Sequence, residues 1–463
     1  METKTDSSFR DTISIVDDKG GRKWVYPKKP KGKLYNARTI FSIFLLAILF
    51  GTPFIRSGGH PVMLFDILDR KIILFGTFFT PSDYFLFGLV MISAFVLLFL
   101  VTAVFGRIFC GWVCPQTVFL EMVFRKIEYL IEGDYTRQME LNKSHWNSEK
   151  IFKKTLKYII FFALSFIIAN TFLAYIIGTD KLFKIISEPV SQHLSGFISI
   201  MVFTGLFYFV FAWFREQACI LVCPYGRLQS VLLNKNSIVI AYDFIRGEPR
   251  GKISRNNENK NGDCIDCKKC VYVCPTGIDI RNGTQLECVN CTACIDACDS
   301  IMDSIDKPRG LIRYDSMEGI ETKTKLKFTA RVAGYIAVLL VLITITTLMF
   351  TSRKDIDVSI LRTQGMLYQK MPDGKVSNLY NIKISNKTFN DLPVSFKLKN
   401  STGEIKLIGE DIDLKAAGIY EGSLMIILQE ENIKFVNTPV TIEVYSGDKL
   451  ITEAETSFLG PVN

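Results

Sequence analysis

The stretch YFLFGLVMISAFVLLFLVTAVFGRIFCGWVCP, residues 84–115, decides the architecture. Residues 84–105 hold no charged side chain. A soluble helix keeps one wet face, whereas about 20 consecutive apolar residues match the hydrocarbon thickness of a bilayer. The run ends at Arg107, and Cys110-Gly-Trp-Val-Cys114-Pro115 follows at once. The stretch therefore reads as a membrane span that delivers a pair of thiols to one surface.

Four further apolar runs read as spans, at 39–55, 158–177, 196–214 and 332–350. The first contains Gly51 and Pro53, so its end is the least defined. Lys and Arg near span ends set the orientation. Residues 19–38 hold eight basic residues and no acid, and the link after the second span carries Arg107, Arg125, Lys126, Lys143, Lys150, Lys153, Lys154 and Lys157. The link after the first span has only Arg56, Arg70 and Lys71, and that after the third only Lys181 and Lys184. The amino terminus and the large insertion after the fourth span are thus expected in the cytoplasm, with the carboxyl terminus outside. Almost forty polar residues precede the first span, which suits a retained anchor better than a cleaved signal.

The expected fold class is a multi-domain membrane protein: a five-span α-helical bundle with an inserted two-cluster ferredoxin-like domain and a C-terminal all-β immunoglobulin-like sandwich. The expected divisions are a basic segment 1–38, a four-span bundle 39–245, a ferredoxin-type domain 246–331, a fifth span 332–351 and the sandwich 352–463. Residues 246–263, rich in Arg, Lys, Asn and Gly, read as a solvated linker. Beyond residue 352 short alternating runs appear at 379–384, 394–398, 424–428 and 440–445. Turn signals separate them: Pro372-Asp373-Gly374, Asn400-Ser401-Thr402-Gly403 and Ser446-Gly447-Asp448-Lys449. About seven short strands in some hundred residues fit a sandwich.

Composition narrows the chemistry. The 463 residues are 48% hydrophobic and 12% aromatic, with 12 Cys, three His and a net charge of +9. The three His (His60, His145, His193) lie outside the apolar runs, which argues against a His-ligated membrane haem. Neither a C-x-x-C-H nor a dinucleotide or P-loop glycine motif occurs.

The cysteines fall into four groups. Cys264, Cys267, Cys270 and Cys274 have the spacing C-x2-C-x2-C-x3-C followed by Pro275, and Cys288, Cys291, Cys294 and Cys298 repeat it with Asp299 in place of the proline. This is the run of bacterial two-cluster ferredoxins, in which three thiolates wrap one cubane and the fourth reaches its neighbour. Crossed ligation would give Cys264, Cys267, Cys270 and Cys298 to one [4Fe-4S] cluster, and Cys288, Cys291, Cys294 and Cys274 to the other. Structural zinc seldom uses a third Cys at the same short interval, and disulfides need an oxidising compartment. Lys268 and Lys269, inside the first motif, could offset the anionic cluster or receive an acidic donor; a plain solvated pair is the simpler reading.

The remaining four form matched pairs, Cys110-x3-Cys114-Pro115 and Cys219-x3-Cys223-Pro224, each after a span and each preceded by an arginine, Arg107 or Arg215. This is an internal repeat of two helical hairpins. The proline suits a first helical turn and places Cys114 and Cys223 near helix N-termini, where a thiol pKa is lowered, and the arginines are expected to act in the same direction. Four such thiols make a soft site for Cu(I) or a reversible dithiol relay. Elsewhere, His60 with Met63 is a weak metal candidate. The basic segment 19–33 suits membrane lipid headgroups, not nucleic acid. Asn386-Lys387-Thr388 matches a glycosylation sequon.

On these motifs, with the last span and the outer sandwich, the chain resembles the CcoG/FixG family of bacterial cytochrome oxidase accessory proteins over essentially its whole length. The paired membrane-end motif alone is shared with polyferredoxin-like proteins of nitrate and nitrous oxide respiration. The resemblance implies a multi-pass protein of the bacterial inner membrane that reduces Cu(II) to Cu(I) for assembly of cbb3-type cytochrome c oxidase. By the same resemblance Cys110, Cys114, Cys219 and Cys223 bind or reduce the metal. Its partners would be a cytosolic electron donor and oxidase subunits or copper chaperones. Two other readings compete: a respiratory carrier exchanging electrons with membrane quinone, and a non-enzymatic scaffold for oxidase subunits.

Overall fold

A computed structural model describes residues 14–17, 19–66, 71–80, 83–252, 261–323, 329–363, 365–371, 374–399, 401–409, 412–433 and 435–461. Arg70, the turn residues Pro372 and Asp373, Asn400 and the middle of the 246–263 linker lie outside the described residues.

Among the described residues five helices are long and apolar enough to cross a membrane. They are α1 (Lys33–Gly51), α2 (Tyr84–Phe105), α3 (Ser148–Ile177), α4 (Leu194–Phe209, wound on to Phe214) and α5 (Ala330–Thr351). The second coincides with its predicted bounds. The third begins ten residues earlier than predicted, because the basic turn containing Lys150, Lys153, Lys154 and Lys157 continues the helix and pairs with acids. The first begins six residues earlier, at a boundary set by tertiary contact. The Asp296 carboxylate accepts the backbone N–H groups of Leu34 (3.2 Å) and Tyr35 (2.8 Å), capping donors that a helix start leaves free.

The chain divides into two compact units. One comprises residues 1–51, 89–174 and 180–344, and holds all twelve cysteines. Within it Val239–Tyr242 pairs antiparallel with Ile312–Asp315, which brings the two ends of the cysteine-rich segment together. That segment contains the short helices Lys269–Tyr272 and Ala293–Ser304. The described ends of the expected linker are largely exposed but anchored: Asp243 caps a turn of helix at Phe244–Gly247, and Arg246 bonds Asp263 and the carbonyls of Pro308 and Arg309 (the last at 3.0 Å).

The other unit comprises residues 52–88, 175–179 and 345–463. Its seven main strands are β1 (Ile356–Arg362), β2 (Lys375–Asn386), β3 (Ser395–Leu398), β4 (Gly403–Ile408), β5 (Ile419–Gln429), β6 (Asn437–Ser446) and β7 (Lys449–Leu459). One sheet has the order β4-β5-β2-β1 and the other β3-β6-β7, all antiparallel, which is the strand arrangement of a constant-type immunoglobulin sandwich. Alternation buries Val376, Tyr380, Ile382, Ile384, Leu424, Ile426, Ile442 and Phe458 between the sheets. No cysteine pair ties them. Buried β2 side chains do so instead: the Tyr380 hydroxyl donates to Ser457 O (2.9 Å) and Asn378 Nδ2 to Leu459 O (2.7 Å). Asn386 is buried, and its amide donates to Asn390 O and Lys415 O, so the sequon there is a structural turn. His60 stacks on Phe389 with ring centroids 4.3 Å apart, which accounts for it without a metal.

Candidate electron-transfer site

Two cavities of similar size lie in the cysteine-rich segment. One, about 360 Å³, is lined by Cys264, Cys267, Cys270 and Cys298; the other, about 330 Å³, by Cys274, Cys288, Cys291 and Cys294, with Cys270 between the two. The chain folds this way because Asp266, Lys268, Asn290 and Thr292 take left-handed backbone conformations that coil each motif round its cavity. The fourth cysteine of each motif sits across from the other three. No group of three or more His, Cys, Asp or Glu side chains among the described residues converges at single-ion distance. The residues fit a larger body held from four sides, as a cubane requires. Burial pushes the thiols of Cys270, Cys288 and Cys298 up to about 12 and that of Cys291 up to about 11. Buried thiolates of this kind need a cation to neutralise them, which iron supplies.

The two cavities differ in surroundings. Cys267 is exposed, as are Lys268 and Lys269 beside it. Arg281 lines that first cavity, but Asp266 (2.5 Å) and Asp279 (2.6 Å) neutralise it. At the second cavity Cys291 is buried in a cluster with Val273, Val289 and Ala293, against which Cys110 and Ala297 pack. Cys110 belongs to the first membrane-end motif, so the membrane thiols abut the second cavity and not the first.

That contact depends on Gly111. A Cβ there would lie 2.4 Å from Val289 O and 2.8 Å from Asn290 O, both immovable backbone, so only glycine lets the loop between Cys288 and Cys291 rest on the motif. Asn290 Nδ2 meets the Phe105 carbonyl at 3.4 Å at the end of α2, and Arg107 donates to the carbonyls of Leu286 and Gly226. Gly106, with φ +58°, makes the turn that aims Arg107.

Cys114 and Cys223 are the N-caps of the helices that begin at Pro115 and Pro224, as the prolines predict. The two hairpins then exchange contacts. Gln229, on the helix after Cys223, donates to Cys110 Sγ at 3.3 Å, while Thr117, on the helix after Cys114, hydrogen-bonds Cys219. Gln116 Nε2 reaches Arg215 O at 3.3 Å. The charges of Cys114 and Cys223 bear on Cys110, and those of all three bear on Cys219, so the four thiols lie within electrostatic reach of one another without three of them converging at single-ion distance.

The expected lowering concerned Cys114 and Cys223; the first thiol of each pair behaves otherwise. Burial pushes Cys110 up to about 11, against the pull of Gln229 and Arg107, and Cys219 up to about 12. The first thiol of each pair is therefore protonated when unmetallated, not poised as a thiolate. Arg215 does not serve Cys219 either. Its guanidinium forms a two-point pair with Glu128, Nη1–Oε1 2.7 Å and Nη2–Oε2 2.9 Å. That pair belongs to a buried network in which Arg125 meets Glu121 (3.0 Å) and Glu216 (3.4 Å), and Lys157 meets Glu132 (2.8 Å). Burial alone would raise the Glu128 carboxyl; Arg215, with Lys157 and Arg125, overrides it and holds the group near 2. Arg125 Nη2 also donates to Pro275 O (3.1 Å), which couples the network to the second cavity. Gln229, Thr117, Gly111 and Glu128 escaped the sequence reading. Only Gly111, a glycine inside a repeated motif whose partner has Ile220, carried a signal.

Comparison with known proteins agrees with this layout. Residues 214–317 match a family described as a 4Fe-4S dicluster domain, residues 87–132 a 4Fe-4S binding domain, and residues 346–461 the Ig-like fold at the C-terminus of FixG. The chain is 35% identical to Protein RdxA of Cereibacter sphaeroides over 82% of its own length and 83% of the relative's. It is 35% identical to nitrogen fixation protein FixG of Rhizobium meliloti over 64% of this chain and 58% of that one. A crystal structure of a FixG-related protein from Vibrio parahaemolyticus aligns in full with 24% of this chain, at 16% identity and a TM-score of 0.20. The chain is a multi-pass membrane iron–sulfur protein of the electron-transfer type, and it belongs to the FixG family.

Proposed function

We propose that this oxidoreductase is a cupric reductase that supplies Cu(I) for assembly of cbb3-type cytochrome c oxidase. Cys264, Cys267, Cys270 and Cys298 would hold one [4Fe-4S] cluster and Cys274, Cys288, Cys291 and Cys294 the other; when bound, these supply single electrons. The exposed Cys267, flanked by Lys268 and Lys269, faces a cytosolic donor. Cys110, Cys114, Cys219 and Cys223 receive Cu(II) and retain it as Cu(I) after one electron arrives, since soft sulfur ligands favour the cuprous ion. Binding displaces protons from Cys110 and Cys219, whose thiols are otherwise neutral. Oxidase subunits or a copper chaperone then take the Cu(I). The basic span ends argue for the amino terminus and clusters in the cytoplasm and the sandwich in the periplasm.

The observation that carries this reading is the packing of Cys110 against the cluster of Val273, Val289, Cys291 and Ala293 at the second cavity. The test is the C110S/C114S double variant, purified without air. Iron is expected to stay at about eight atoms per chain while Cu(I) formation from Cu(II) falls at least tenfold. Undiminished copper reduction at full iron content overturns the assignment. Recovery of the cluster absorbance when quinone is added to reduced protein, with none on adding Cu(II), would favour the respiratory carrier instead.

A further inference from the structure

Arg38 belongs to none of the cysteine motifs and reads in the sequence as an orientation charge. In the structure it is 3% exposed, at the start of α1. Its Nε donates to the carbonyl of Gly111 at 2.7 Å, inside the first membrane-end motif. Its Nη2 is buried with no hydrogen-bond partner. Arg38 lines one small cavity together with Tyr35, Glu121, Pro275 and Cys291, where Glu121 is already paired with Arg125 at 3.0 Å, and Cys291 is also a wall of the second four-cysteine cavity. A buried guanidinium N–H without an acceptor is costly, so an acceptor within its reach is implied. A thiolate or sulfide of a cluster at Cys291 is such an acceptor.

We infer that Arg38 is a positioning residue which, through Nη2–H, holds the cluster of Cys274, Cys288, Cys291 and Cys294 at a higher potential than its neighbour. The inference rests on the iron–sulfur reading of those cysteines. Reduction adds one negative charge to the cluster and needs no proton. A fixed cation in a dry site stabilises that added charge far more than it would in water. The opposite cavity lacks this bias, because Arg281 there is offset by Asp266 and Asp279. Arg107, buried on the same side as Arg38, adds to the difference, though its Nη atoms already serve Leu286 and Gly226. Electrons entering beside Cys267 then settle next to Cys110.

The experiment is an EPR-monitored redox titration of the full chain in detergent, anaerobically, with iron counted in each sample. Wild type should show two one-electron steps. Arg38→Met should move the upper step down by at least tenfold in the reduced-to-oxidised ratio, about 59 mV for one electron, and leave the lower step in place. Arg38→Lys, which keeps the cation, should recover most of that shift. Arg281→Met should move the lower step instead. If both steps stay put in Arg38→Met, or both move together, Arg38 does not have this role. Should Arg38→Met lose iron, Arg38→Lys decides: a full complement of iron with an unshifted or partly lowered upper step supports the inference, and iron loss there too overturns it. Fewer than about six irons in wild type would sink the cluster reading itself, a result distinct from either outcome for Arg38.

Discussion

The two membrane-end motifs have the same letters and different duties. Around Cys110 the turn is made by Gly106, and Arg107 is spent on neutral carbonyls of the cysteine-rich segment. The turn before Cys219 has no glycine: Arg215 itself takes the left-handed turn, at φ +51°, ahead of a chain wound as a π-turn at Ala218–Val222. The extra residue between Arg215 and Cys219, relative to Arg107 and Cys110, is absorbed by that wider winding. A non-glycine residue in such a conformation costs on the order of 1–3 kcal/mol, and the two-point pair with Glu128 is what holds it. One hairpin is thus built for contact with the electron source, the other for anchorage.

The largest effect that would test this division is at Glu128. E128Q leaves Arg215 buried without its two-point carboxylate, while Lys157 keeps Glu132, and thermal unfolding in detergent should show a loss of about 3–5 kcal/mol. A loss under about 1 kcal/mol would mean that the second hairpin needs no anchor. The same group gives the fold an acid limb. Its folded pKa, about 2, lies below its ordinary 4.5, so its contribution is complete above pH 4.5 and disappears as the pH falls towards 2. That contribution is roughly 3 kcal/mol, and the E128Q protein should show a shallower loss of stability across this window.

Next comes Gly111. G111A should cost about 1–3 kcal/mol and slow Cu(II) oxidation of the reduced protein in stopped flow, because the new methyl pushes the Val289–Asn290 carbonyls off the motif. The corresponding Ile220 already carries a side chain, and I220V should stay within about 1 kcal/mol with unchanged rates. Equal effects at the two positions would erase the distinction between the hairpins. The smallest effect is at Gln229. Its amide lowers the Cys110 thiol pKa, so Q229L raises it further and reduces the thiolate fraction at a given pH. Alkylation of Cys110 in iron-free protein, followed by mass spectrometry, should slow about fivefold.

Spans and cysteine groups were legible because each rests on one strong signal. Residues 84–105 are apolar all round, and the tetrad spacings admit few alternatives. The sandwich strands were legible from alternation, down to the turn at Gly447, whose φ is +58°. The ion network was not. Glu121, Arg125, Glu128 and Glu132 read as an ordinary charged helical face, and only the approach of residues 215–216 and α3 turns that face inward. Arg38 was hidden for the same reason: the rule that explains a basic span end says nothing about where its guanidinium goes. The raised pKa values of Cys110 and Cys219 were not legible either, because they come from burial that only the packed hairpins create.

The sandwich closes with a tyrosine and an asparagine where related folds use a cystine, and residues 352–463 contain no sulfhydryl of any kind. Disulfide reductants and thiol-directed alkylating agents therefore have nothing to attack in it. In any titration of the whole chain with such reagents, its melting transition and amide exchange supply a built-in reference against which change elsewhere can be calibrated.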